Sequence, residues 1–459
     1  MDISGRPSQE IYDVVGIGFG PSNMSLAIAL EEHEASSPQH SIKCHFFERQ
    51  PTFGWHRNML LPSTTMQISF LKDLATFRNP ASRYSFVSYL HASNRLVQFV
   101  NNQDFFPTRQ EFHQYLEWAA AGLDDRVTYG AEVTSIRPAT GAGARTSDLL
   151  QIEVRTGDGT TSVVTTRNVV VSTGLVPRLP EGVSGNERVW HSSQFLSRFN
   201  AQAPGGLKSV AVVGAGQSAA EITRFLYDSL PHAEVSAVIP SYGYSVADDT
   251  PFANQVFDPN AVDQYYFGTE RARDSFWRYH RNTNYSVVDA DVIRALYQRS
   301  YDEQVRGSQR LHFRNLTRVA EIRQAGDTTR VVLHSLLDDR REELAVDALV
   351  FATGYDGLDP ARLLGDFDEN FERDEAGRHR ITRDYRLVAA SGPACGVYLQ
   401  GGTEHSHGLS SALLSNIAVR SGEIADSIVL RRAERELDSS RAVEVADVAE
   451  VAEVASSAA

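Results

Sequence analysis

A chain of 459 residues has room for two or three domains with sizeable cores. Its 44 basic against 58 acidic residues leave a net charge of −14, which argues against a nucleic-acid surface and favours a cationic ligand only mildly. Two isolated cysteines, Cys44 and Cys395, fit neither a disulfide framework nor a C-x-x-C dithiol site.

The first ten residues, MDISGRPSQE, lack the apolar core of a signal peptide, and no apolar run approaches a membrane span. A soluble, cytoplasmic protein without a membrane partner is expected. From Ile11 to Leu30 a short apolar run breaks into glycines and resumes with helical spacing. Val14 and Val15 read as a strand end, Gly16, Gly18 and Gly20 as a tight turn, and Met24, Leu26, Ala27 and Leu30 as a helix face. Glycines there let the backbone approach a pyrophosphate, whose charge the helix N-terminus meets, and Pro21 suits the first helical turn. The next strand, Ile42 to Phe47, ends in Glu48 where an acid would meet the ribose hydroxyls of a dinucleotide.

Residues 51–80 have no sustained periodicity, which marks a functional irregular segment. Thr108 and Glu111 form a capping box ahead of a helix whose apolar face is Phe112, Tyr115, Leu116 and Ala119. Val127 to Ile136 reads as strand, Leu150 to Val154 pairs with Ser162 to Thr165 across a Gly-Asp-Gly turn, and Asn168 to Ser172 is a buried strand.

Ser209 to Leu226 repeats the opening design, with Gly214-x-Gly216-x-x-Ala219 between an apolar strand and an amphipathic helix. Two such units imply two bound dinucleotides. The second unit's next strand, Glu234 to Ile239, ends in Pro240 and Ser241 rather than an acid, which tolerates a 2′-phosphate and favours NADPH over NADH. From Ser241 to Asp289 a Tyr-, Asn- and Asp-rich stretch reads as a mainly helical insert with ligand-facing loops. Strands resume at Arg310 and end at Ala348 to Phe351, before Ala352-Thr353-Gly354-Tyr355-Asp356. A helix from about Ser410 closes the folded part, and the low-complexity tail from Glu434 reads as disordered.

Two dinucleotide units without a dithiol imply hydride passing from nicotinamide to a flavin, then to an acceptor such as O₂. Eight blocks in order, GIGFGPSN at Gly16, FLKDLATFRNP at Phe70, FFPTRQEFHQYLEW at Phe105, GAGQSAAE at Gly214, TPFANQVF at Thr250, NTNYSVVD at Asn282, ATGYD at Ala352 and GGTEHSHGLSSALLS at Gly401, resemble the flavin-dependent N-hydroxylating monooxygenases. The resemblance is to the L-ornithine N5-monooxygenases of siderophore and related peptide biosynthesis. It implies FAD reduced by NADPH, oxygen captured as a C4a-hydroperoxyflavin, and transfer of one oxygen to a neutral side-chain amine.

By the same resemblance, FAD is met by Gly16, Gly18, Gly20, Pro21, Ser22 and Glu48, and its reactive end by Trp55, His56, Met66 and Gln67. Trp55, Met66 and Phe70 would keep water out. Gly214, Gly216, Gln217, Ser218 and Ala219 would hold NADPH. Lys72, one of three lysines against 41 arginines, would meet the α-carboxylate of ornithine. Asn254 and Asn284 would orient the α-amino and carboxylate ends, and Ser410 would lie near the side-chain amine. Gln67, Asn284 and Ser410 are thereby the expected catalytic residues. No histidine spacing suggests a metal site; His191 reads as structural, and Asp356 as part of a chain crossing.

The expected architecture is α/β, with two Rossmann-like domains and a small helical substrate insert. Residues 1–203 and 346–433 would form the FAD part, 204–250 and 295–345 the NADPH part, and 251–294 the insert, with 434–459 as tail. The resemblance implies a homo-oligomer, often a tetramer. Rival readings are an L-lysine N6- or diamine monooxygenase, a Baeyer–Villiger-type oxygenase, and an NADPH-dependent flavin reductase.

Overall fold

β-Branched runs before each glycine turn form the central strands of two separate sheets. The computed structural model describes residues 10–139, 148–202, 206–326, 328–357, 359–390 and 395–457. The extreme N-terminus and the expected boundary at 203 lie outside them.

The first sheet has the spatial order 127–129, 44–48, 11–17, 161–171, 150–156, 131–138. Strand Thr161–Val171 serves two architectures, because its first half pairs antiparallel with Leu150–Thr156 and its second half runs parallel to Ile11–Ile17 and Gly396–Leu399. The expected pairing of Val154 with Ser162 is present. Helix Pro21–Ser36 buries every residue from Asn23 to Leu30, more than a single face. Its outer side is covered by the final helix, whose Ile424, Ala425 and Ile428 join the same core.

The second sheet is wholly parallel, in the order 311–314, 234–238, 209–213, 348–351, 189–191. Helices Gln217–Ser229 and Ala290–Arg306 cover one face, and Val331, Leu333 and Val346 of a three-stranded antiparallel sheet pack on the other. Strands 189–191 and 348–351 therefore sit in this sheet, although the expected boundaries assign them to the FAD part. Short apolar strands read alike in either sheet, so their partners are not written locally.

The chain passes between the sheets twice. Leu175–Pro177 and Tyr355–Gly357 lie along those passes and pair antiparallel with each other. His191 accepts from Ser193 N at Nδ1 and so donates from Nε2 to Gly354 O at 2.9 Å, which makes it a brace for the crossing. Asp356 meets Arg178 at the surface, at 3.5 Å.

Two further expectations change. The final helix begins at Ile417, not Ser410, which lies in the 3₁₀ turn Leu409–Ala412. That helix runs on to Ser457 through the tail expected to be disordered, in keeping with the helix propensity of its alanines and glutamates.

Candidate active site between two dinucleotide turns

The first turn differs from its sequence reading by one step. Gly16 lies inside strand Ile11–Ile17, where an added Cβ would stand 2.1 Å from the Phe46 ring, so packing demands the glycine. The turn is Gly18-Phe19-Gly20. Gly18 has φ +81° and would press a Cβ to 2.5 Å from Ser172 O. At Gly20 an added Cβ would meet no protein atom within 4 Å. Pro21 opens the helix, and its first turn carries neither a side-chain cap nor an acid. An open cradle over free N–H donors fits a pyrophosphate.

Glu48 is buried and accepts from Phe19 N and Gln50 N, each at 2.8 Å, which fixes the carboxylate at the turn with lone pairs left for ribose hydroxyls. The second unit repeats this register, for Gly18 N donates to Phe47 O and Gly214 N donates to Val238 O. The residue after Val238 is buried Ile239, which takes the place of Glu48 and offers nothing to a 2′-hydroxyl. Gly214 would drive a Cβ to 2.5 Å from Ala352 O and 3.1 Å from the Ala219 Cβ, so both are kept small by the packing of helix on strand. Helix Gln217–Ser229 also begins without a side-chain cap or an acid. Gln217, however, turns its side chain inward. Its amide donates to Glu221 Oε1 at 2.9 Å and Asp289 Oδ2 at 2.7 Å, so what it offers a phosphate is its backbone N–H.

The irregular segment 51–80 is pinned against residues 105–109. Met66 N donates to Pro107 O and Phe70 N to Phe105 O, both at 2.9 Å. Met66 is buried, Trp55 packs edge-on to His56 at 4.5 Å, and Phe70 stacks on Phe105 at 5.8 Å. Gln67, between them, is exposed and donates to Asp289 Oδ1 at 3.0 Å.

Lys72 is half-buried. Its ammonium lies 5.6 Å from the centre of the Phe257 ring, and among the described residues nothing accepts a hydrogen bond from it. Burial pulls its pKa down, against the opposing charge of Asp258. Asp73 holds the neighbouring backbone by accepting from Ala75 N, Thr76 N and Phe86 N at 2.6–2.9 Å. This anchor was missed in the sequence, because an acid inside F-L-K-D-L reads as surface.

Asn254 and Ser410 meet the Lys72 region through neighbouring turns. Asn254 ends the helix Pro251–Asn254 and donates to Asp249 O at 2.7 Å, with its carbonyl oxygen left over. The following turn, Gln255–Phe257, packs on the turn holding Ser410, which is 1% exposed. Asn284 ends helix Glu270–Asn284, and its neighbour Tyr285 donates to Glu404, six residues before Ser410. Burial pushes both Tyr285 and Glu404 up. His405 and His407 are engaged elsewhere, bonded to the carbonyls of His379 and Arg383.

Lys72 and Asn254 thus flank the turn Gln255–Phe257 that packs on the turn of Ser410, while Asn284 is tied to that region through Tyr285 and Glu404. Residues 10–357 match the L-lysine 6-monooxygenase/L-ornithine 5-monooxygenase family. The chain belongs to that family. Among its relatives, the L-ornithine N(5)-monooxygenase of Pseudomonas aeruginosa is 40% identical, over 91% of this chain and 94% of its own. The solved ornithine N-hydroxylase of Kutzneria sp. 744, with reduced FAD, NADP⁺ and L-ornithine, is 57% identical with a TM-score of 0.88, covering 92% of this chain and all of that one. The L-lysine 6-monooxygenase of Pseudomonas syringae is 33% identical with a TM-score of 0.79, covering 92% and 99%. This family member has the two-dinucleotide α/β fold, and both cradles fit the cofactors expected of it.

Proposed function

We propose that this protein is an L-ornithine N5-monooxygenase of the cytoplasm that supplies N5-hydroxy-L-ornithine for a siderophore or related product. The balance is R–NH₂ + O₂ + NADPH + H⁺ → R–NHOH + H₂O + NADP⁺. FAD, when bound, takes hydride from NADPH and activates oxygen; the chain's own residues do the rest. The observation that carries the reading is the Lys72 ammonium, half-buried beside the Phe257 ring and, among the described residues, without an acceptor. It offers one positive charge to an α-carboxylate, which ornithine and lysine have and a simple diamine lacks.

Asn254 has a carbonyl oxygen that, among the described residues, accepts no hydrogen bond and could meet the α-ammonium, and Asn284 is assigned to orient the same end of the substrate. The opposite end of the substrate would then extend toward Gln67 and Ser410. Water exclusion there falls to Trp55, Met66 and Phe70, which pack on the first core. A partly desolvated pocket lowers the pKa of the substrate amine and so favours the neutral nucleophile. The greater identity to an ornithine hydroxylase than to a lysine monooxygenase, 57% against 33%, supports the shorter side chain.

The test is hydroxylamine formation by the FAD-loaded enzyme with NADPH and O₂, comparing L-ornithine, L-lysine and putrescine, with peroxide recorded alongside. Product from ornithine with little peroxide supports the reading. Product from lysine or putrescine overturns the pocket assignment, and peroxide alone with every amine overturns the monooxygenase. Light scattering on the same sample tests the homo-oligomer that the family resemblance implies.

A further inference from the structure

Asp289 closes the block that begins at Asn282 and stands just before helix Ala290–Arg306, yet its side chain does not cap that helix. Its two carboxylate oxygens reach instead to glutamines from distant parts of the chain. Oδ1 accepts from Gln67 Nε2 at 3.0 Å, and Oδ2 accepts from Gln217 Nε2 at 2.7 Å. The Asp289 N–H donates back to Gln217 Oε1 at 2.8 Å. Beyond Gln217 the chain of contacts continues to Glu221, 2% exposed, which Arg109 grips with two parallel bonds of 2.9 Å. Arg109 also donates to Met59 O at 2.9 Å. A continuous polar path therefore joins the flavin-side segment to the helix of the second dinucleotide unit, and Asp289 is its junction.

An ionised carboxylate can only accept, so both glutamines must present their NH₂ groups to it. For Gln67 this decides which way the amide faces. Its carbonyl oxygen is then not on Asp289, and among the described residues nothing donates to it. Without the carboxylate the amide could turn over and present a donor in the same place, inverting what the site offers to an oxygen-bearing group beside the flavin.

We propose that Asp289 is a positioning residue: it holds Gln67 by its NH₂ group, with the carbonyl oxygen left over, and ties that orientation to the docking of helix Gln217–Ser229. The inference rests on the reading above of Gln67 as a flavin neighbour and of that helix as the NADPH helix.

The experiment uses Gln67→Ala, the near-isosteric Asp289→Asn, and the double variant. Three quantities are read: peroxide released per NADPH consumed with L-ornithine present, flavin reoxidation by air with NADP⁺ bound, and melting of the FAD-free proteins. Asp289→Asn is expected to raise the peroxide fraction at least five-fold while the KM for NADPH stays within two-fold. In the Gln67→Ala background it should add less than two-fold more, and the melting shifts of the single variants should exceed in sum that of the double. A wild-type peroxide fraction in Asp289→Asn overturns the proposal, as do single effects that multiply in the double. Should wild type make no hydroxylamine from any amine, the functional reading fails, and the positioning role is still decided by reoxidation and melting.

Discussion

The guanidinium of Arg420 is wholly buried and donates from Nη2 to Ser22 Oγ at 3.0 Å, joining residues 398 positions apart. Its other donors reach the Ser411 carbonyl and, at 3.4 Å, Gln400 Oε1. Among the described residues no carboxylate pairs with it, and burial lowers its pKa. An unpaired buried cation is costly, and the anion able to offset it is a pyrophosphate at the first turn of helix Pro21–Ser36. Arg420→Lys should weaken FAD binding about 10-fold and Arg420→Met more, by titration of flavin fluorescence. Equal FAD affinity in both variants and wild type would confine Arg420 to packing.

The glycines divide by the same logic. Gly16→Ala collides with the Phe46 ring and should lower the melting temperature of apoprotein and holoprotein alike. Gly20→Ala meets no protein atom, so the apoprotein should melt within a degree or two of wild type while FAD is lost. Differential scanning fluorimetry with and without FAD separates the two. An FAD-loaded Gly20→Ala would move the pyrophosphate away from this turn.

Lys72→Ala should raise the KM for ornithine roughly 10- to 100-fold, since a hydrogen bond to a charged group contributes about 1.5–3 kcal/mol. Reduction of the flavin by NADPH should continue. Because burial lowers the Lys72 pKa, its charge is lost earlier than in free lysine as pH rises. The wild-type KM should therefore climb on the alkaline side, and this climb should be missing in Lys72→Met. Steady-state kinetics across pH read both, and an unchanged KM in Lys72→Ala would remove lysine from the substrate site.

His407 stacks on Tyr385 at 4.1 Å, lies against Tyr266 and bonds to the Arg383 carbonyl, and burial pushes its imidazole down to about 3. Its folded pKa lies below the unfolded value of about 6.5, so the contribution to stability is full above that value. It is lost as pH falls from about 6.5 toward 3, because the unfolded chain takes a proton that the folded ring refuses. His407→Gln should melt lower at pH 8 yet lose less on acidification. Parallel melting curves against pH for the two proteins would mean that the ring is protonated inside the fold.

The glycine turns, Glu48 and the Thr108 cap were legible because their physics is local: a left-handed φ, a strand end, and a hydroxyl accepting from Glu111 N at 3.1 Å. Lys72 was singled out only through its block, and composition and spacing gave no hint of the Phe257 ring beside it. Asp289, Glu221, Arg109 and Arg420 were not, since each owes its role to a partner more than 70 positions away. The reading of Gln217 as an NADPH contact could not foresee that Asp289 and Glu221 hold its side chain. Ser410 carried a bland helix-start signal, and the turn it occupies is set by packing on residues 255–257.

The paired ribbon of Leu175–Pro177 with Tyr355–Gly357 gives the two nucleotide sheets a single strap where two loose strings would otherwise run. Beside this strap the two parts are also joined where Arg109 grips Glu221 and Gln67 meets Asp289, so their relative pose is held at several points at once. Arg178, which donates to Thr353 O at 2.9 Å, and His191 stiffen one end of it. The ribbon is thus part of the frame that fixes how the two nucleotide sheets face each other, built from backbone ladder bonds and the side chains of Arg178 and His191.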